Sequence, residues 1–210
     1  METQTFEQAH KPFVPWNKGK VTGQKPPLEP REVWAIRVRL QISNRVRDLA
    51  LFNLAIDSKL RGCDLVHLRV EDVMQADQVR TRALVSQRKT GSPVQFEITE
   101  QARAAIANWV RGKNLKGSEW LFPSRVDRTQ PMTTRRYGRL VDEWIAAIGL
   151  APSAHGTHSL RRTKAALIYR KTGNIRAVQL LLGHTKLDST VRYLGVEVED
   201  ALAIAESIDV

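Results

Sequence analysis

"HSLRRTKAALIYR" (His158–Arg170) and "LLGHTKLDSTVRYL" (Leu181–Leu194) decide how this chain is read. The first stretch sets His158 and Arg161 three residues apart, on one face of a helix. Arg162, one step further round, is expected to point elsewhere. The second stretch carries Gly183, a residue able to take positive φ, where a helix should stop. His184 follows in the turn, and Tyr193 comes nine positions later within the next helix. Taken singly, each has an ordinary reading. Tyr193 fits a core aromatic, and His158 near His155 fits half a metal pair that no cysteine or carboxylate completes.

The chain upstream supplies partners. In "LRGCDLVHLRVEDV" (60–73), Arg61 stands where one helix stops and another begins, with Asp64 three residues on. Helical spacing predicts helices over about 29–42, where Pro30 suits a first turn, and over 45–57, with a short one in "GCDLVHLRV". The period then changes. "RTRALVSQ" and "SPVQFEIT" are rich in β-formers and joined by "RKTG", which reads as a hairpin with Lys89 at its turn. Thr99 caps a helix over about 100–111, and "EWLFPS" is a short buried segment. Helices follow over about 134–148, 157–171, 174–182 and 188–194. The expected fold class is mainly α with a small antiparallel β-sheet (α+β).

Composition narrows the partner. Lys plus Arg number 33 against 22 Asp plus Glu, a net charge of +11 over 210 residues. Such an excess points to a polyanion. The basic residues are spread along the chain, with no strongly apolar helix face beside a polybasic one, so a nucleic-acid backbone fits better than a membrane surface. No apolar run reaches the ~20 residues that span a bilayer, and "METQTFEQAHKPF" lacks the features of a secretion signal. The single cysteine, Cys63, fits a reducing cytoplasm and reads as a buried, inert thiol. Residues 1–27, rich in Pro, Gly and Lys, read as an extended basic arm, and residues 28–210 as one domain.

Together the singled-out residues make a set for phosphoryl transfer without a metal or other cofactor. Two guanidiniums, Arg61 and Arg161, fork the non-bridging oxygens of a phosphodiester and stabilise a pentacoordinate transition state. His158 exchanges the tyrosine proton, His184 donates to a phosphate oxygen, and Lys89 protonates the leaving 5′-oxygen. Tyr193 is the nucleophile.

In order and spacing, "LRGCDLVHLRVEDV", "RKTGSPVQF", "HSLRRTKA" and "LLGHTKLDSTVRYL" resemble the active-site motifs of tyrosine recombinases, the phage-integrase family. The resemblance runs from about Leu28 to Leu194. It implies the tyrosine-recombinase catalytic fold and a catalytic set of Arg61, Lys89, His158, Arg161, His184 and Tyr193. Asp64 corresponds to the acidic residue that buttresses the first arginine. The implied reaction is DNA strand cleavage and rejoining through a 3′-phosphotyrosine, with neither metal nor ATP. The implied partners are double-stranded DNA and three further copies of the chain on paired sites, with an accessory DNA-binding protein left open.

Two features depart from the family. Its usual Thr-Gly-Leu-Arg is here Ser58-Lys59-Leu60-Arg61. The arm before Leu28 is also too short for the N-terminal helical domain of most members, so the chain resembles small stand-alone members such as the fimbrial-switch recombinases. Lys18, Lys20 and Lys25 of the arm are then either substitute DNA contacts or part of a disordered tail that makes none. A helix over 197–210 either docks on a neighbour or packs in cis. The rival functions are a DNA-binding regulator or accessory factor of the same fold, and a type IB topoisomerase-like relaxing enzyme.

Overall fold

Pro30 opens the first helix because its missing N–H costs nothing in a first turn. The turn is closed by Glu32, whose carboxylate accepts from the Glu29 N–H at 2.8 Å. The computed structural model describes residues 24–195 and Glu206. Most of the expected arm, with Lys18 and Lys20, lies outside the described residues, as does the 197–210 segment apart from Glu206.

Helix α1 (Pro30–Ile42) leads into α2 (Val46–Ser58), which is buried from Ala50 to Ser58, polar Asn53, Asp57 and Ser58 included. Around α2 pack α1, α5 (Glu100–Lys113), α7 (Thr157–Thr172) and the strand β4 (Pro93–Glu97). Between α2 and β4 run the single-turn helices α3 (Gly62–Leu65) and α4 (Val70–Val73), then β1 (Met74–Gln75), β2 (Gln78–Val79) and β3 (Arg82–Ser86). Helix α6 (Thr134–Ala147) closes the core from the other side, its Trp144 meeting Phe52 of α2 edge to face at 5.5 Å.

The β3–β4 hairpin pairs Ala83 with Phe96 and Val85 with Val94. These four alternate with solvent-facing neighbours, so one face of the ladder seals the core. A second ladder, β1–β2, was not expected from sequence. Its turn residues Ala76 and Asp77 both take positive φ, so the usual glycine signal is missing. The sheet content of the described residues is thus two separate two-stranded ladders.

Helices α7, α8 (Ile175–Leu182) and α9 (Leu187–Leu194) share a small cluster of their own. Ala165, Val178 and Leu182 form its buried centre, and Ile168, Tyr169, Tyr193 and Leu194 pack against it. Gly173 and Gly183 end α7 and α8 at φ 64° and 65°, as their sequence positions predict. Two local expectations are corrected. Thr99 does stand at the start of α5, but its hydroxyl donates to Asp57 at 2.7 Å instead of capping the helix. Cys63 is half-buried, because α3 is only one turn long and leaves its outer side uncovered.

Candidate active site

The carbonyl of Leu182, the last residue of α8, organises the site. It accepts from Arg161 Nη2 at 2.9 Å and from Gln87 Nε2 at 3.1 Å. The other end of the Gln87 amide accepts from Arg61 Nη1 at 2.5 Å and from the Thr90 hydroxyl at 3.0 Å. One chain of hydrogen bonds therefore fixes both guanidiniums to the end of one helix. Gln87 is 1% exposed, and sequence reasoning missed it. Its only sequence signal is its place at the end of a strand, two residues before Lys89.

Close approach at this junction depends on Gly183. A Cβ there would stand 2.4 Å from Val94 Cγ2 and 2.9 Å from Gln87 Nε2, at a φ that side chains rarely adopt. The hairpin and the α8–α9 turn touch only because that atom is absent.

Arg61 begins α3, and the Lys59 that precedes it takes left-handed φ of 54° where the related motif has glycine. The departure keeps the turn and adds a buried charge. Lys59 Nζ donates to the Asp57 carbonyl at 2.5 Å and to Glu97 at 3.1 Å, and Lys164 reaches Asp57 at 2.7 Å and Glu97 at 2.6 Å. Burial lowers the Lys59 pKa, with Glu97 opposing. Asp64 is buried, but its bond differs from the expected one. Oδ1 accepts from the Arg88 backbone N–H at 2.8 Å, and among the described residues Asp64 makes no ion pair with Arg61. Its role in this structure is to hold the hairpin turn that carries Lys89.

Tyr193 lies in an arc of positive charge. Its ring has the Arg162 guanidinium at 4.7 Å, that of Arg161 at 5.6 Å, and the His184 ring edge-on at 5.4 Å. Arg162 thus faces the tyrosine, contrary to the sequence expectation. The start of α7 is wedged between the core and α9, so arginines on neighbouring faces both reach inward. The Tyr193 hydroxyl is buried without a hydrogen-bond partner among the described residues, and so are Arg161 Nε and Arg162 Nε. Burial raises the Tyr193 pKa, and Arg161, Arg162 and Arg61 oppose that rise.

His184 Nδ1 lies 3.1 Å from the hydroxyl of Thr190, a fully buried residue that the sequence reading also missed. Burial lowers the His184 pKa to about 4, helped by Arg161 and Arg61. His158, at the start of α7, is lowered too, by partial desolvation of its ring first and then by Arg161, Arg162, Arg61 and Lys25. Both shifts favour the neutral imidazole. Lys89 stays apart: it is exposed in the turn, and among the described residues it makes no hydrogen bond or ion pair. The structure brings Arg61, Arg161, His184 and Tyr193 together, sets His158 within reach of the same charges, and leaves Lys89 on the adjoining hairpin. Among the described residues no helix is long and apolar enough to cross a membrane.

Residues 28–199 match the phage integrase family. The chain belongs to that family. By family and fold it is a tyrosine recombinase. It is 31% identical over 167 residues to a probable integrase/recombinase, YoeC, of Bacillus subtilis (strain 168), covering 80% of this chain and 87% of YoeC. Of the XerD, XerA and XerC relatives it spans less, 42%, 61% and 48% of their lengths. The crystal structure of XerA recombinase superposes with a TM-score of 0.70 at 19% identity, over 93% of this chain and 68% of that one. XerH site-specific recombinase bound to its difH substrate superposes at 0.68 and 18% identity, over 89% and 55%. These likenesses bear on the fold.

Proposed function

We propose that this recombinase cuts and rejoins specific DNA sites through a 3′-phosphotyrosine on Tyr193. The observation that carries the reading is the buried Tyr193 hydroxyl, without a hydrogen-bond partner among the described residues and ringed by Arg161, Arg162 and the edge of His184. A phenol in apolar surroundings has no structural need of buried guanidiniums beside it, because burying unpaired charge is costly. A phosphodiester arriving there pairs those charges.

In the proposed step the Tyr193 oxygen forms a bond to phosphorus as the bond to the 5′-oxygen breaks. His158, its neutral form favoured, takes the phenol proton, and Lys89 gives a proton to the leaving 5′-oxygen. Arg61 and Arg161 hold the non-bridging oxygens, where charge develops. Thr190 donating to His184 Nδ1 leaves Nε2–H free as a further donor to phosphate. One phosphodiester is exchanged for another, so religation needs no external energy source. Residues 28–210 act as the catalytic domain and 1–27 as its arm, with double-stranded DNA as substrate and four protomers on paired sites. The net charge of +11 and the DNA-bound state of XerH support DNA as the partner.

The test uses a nicked suicide duplex that loses its 5′-hydroxyl strand after cleavage. The parent should form an SDS-resistant covalent adduct, and Tyr193→Phe should bind the duplex without forming one. A normal adduct yield from Tyr193→Phe would show that another residue attacks. Relaxation of supercoiled DNA without strand exchange would favour the topoisomerase-like reading.

A further inference from the structure

Arg162 is not among the residues assigned a chemical role above, yet its guanidinium is nearer the Tyr193 ring than that of Arg161. It is 6% exposed, and it is held from the other side by the start of the described chain: its Nη1 donates to the Lys25 carbonyl. Lys25 is itself anchored, its ammonium donating to the carbonyls of Pro152 at 3.3 Å and His155 at 2.5 Å. Beside it, Gln24 Nε2 donates to the carbonyl of Arg192, the residue before Tyr193. Residues 24 and 25 thus touch the nucleophile's helix directly and its stacking arginine from behind.

We infer that Arg162 is a positioning residue for Tyr193, and that Gln24 and Lys25 form a strap holding Arg162 and α9 in register. The inference rests on Tyr193 being the nucleophile. A guanidinium stacked on a phenol fixes the ring plane and favours the phenolate. Arg61, Arg161 and His184 also face the phenol. Arg162 differs from Arg61 and Arg161 in being tied to the strap and free of the hydrogen-bond chain through Leu182. Lys25, which from sequence was either a DNA contact or part of an inert tail, has its ammonium engaged within the fold.

The test places 3-fluorotyrosine at position 193 of the full chain and follows its fluorine resonance against pH without DNA. Arg162→Gln keeps a donor for the Lys25 carbonyl and removes the charge, and Arg162→Lys keeps the charge. Loss of an adjacent positive charge should raise the phenol midpoint by about one pH unit or more, roughly tenfold less phenolate at a given pH. Arg162→Gln should show that rise, and Arg162→Lys should stay near the parent. The pH profile of adduct formation on the nicked duplex should move with the fluorine midpoint. A merely structural Arg162 would slow adduct formation evenly and leave the midpoint in place, which overturns the inference. If the midpoints shift but the parent forms no adduct, the recombinase mechanism fails and the Arg162–Tyr193 coupling stands. For the strap, Gln24→Ala should speed amide exchange over residues 187–195, and unchanged exchange there removes Gln24 from it.

Discussion

Gly183→Ala should cripple this protein by a mechanism that its other left-handed glycines do not share. At φ 65° an alanine costs about 1–2 kcal/mol from the left-handed backbone alone. The added Cβ also falls 2.4 Å from Val94 Cγ2, deep inside contact distance, and overpacking a filled site costs typically ~1–3 kcal/mol. Gln87 must move as well, which gives up its bond to the Leu182 carbonyl, worth about 1 kcal/mol. The expected loss is about 3–6 kcal/mol, a large share of the ~5–15 kcal/mol that a domain possesses. Gly195→Ala is the control. Its φ is 70°, and nothing lies within 4 Å of the added atom, so only the backbone cost of about 1–2 kcal/mol applies. Urea unfolding of the parent and both variants gives the two differences by linear extrapolation. Equal destabilisation by the two substitutions would refute the hairpin contact and, with it, the account of how Arg61 and Arg161 share a frame.

Lys89→Ala should cleave an ordinary duplex slowly and recover on one whose leaving 5′-oxygen is sulfur, because a thiolate needs no acid; continued slowness would remove Lys89 from that role. Removing the Tyr193 hydroxyl should leave stability unchanged or raise it by up to about 1 kcal/mol, since the group is buried without a partner among the described residues, and a clear loss on urea unfolding would reveal a bond to it. His184 has a folded pKa of about 4 against a usual 6.5, so between these values the unfolded chain binds more protons. Stability should therefore rise with pH across that window and be lost as pH falls through it, and His158 acts in the same direction. The urea midpoint of His184→Gln should fall less than the parent's from about pH 7 to about pH 5; parallel falls would contradict the assigned shift.

The helices were legible because their signals are local. Pro30, Gly173 and Gly183 mark ends through backbone geometry, and the apolar spacing of α2 and α6 marks burial. The β3–β4 ladder followed from alternation. The β1–β2 ladder did not, because Ala76 and Asp77 take conformations their identities do not advertise. At the site, Arg61, Arg161, His184 and Tyr193 were chosen for their chemistry and the fold brings them together. What the sequence hid was mutual support. Gln87 and Thr190 are ordinary residues whose importance comes from what lies across from them in space. The direction of Arg162 could not be read from helical position either, because α7 is covered on more than one face.

A carbonyl belongs to the backbone, and that gives the Leu182 oxygen an unusual evolutionary standing. Every substitution at position 182 still supplies it, so the bridge between Arg61 and Arg161 has a centre that no point mutation deletes. Selection at that position acts only on the buried side chain, which any similar apolar residue satisfies. Point changes therefore reach the bridge at its rim, most directly through residues 61, 87, 161 and 183. Changes at those four positions should be strongly non-additive, each altering what the next one costs.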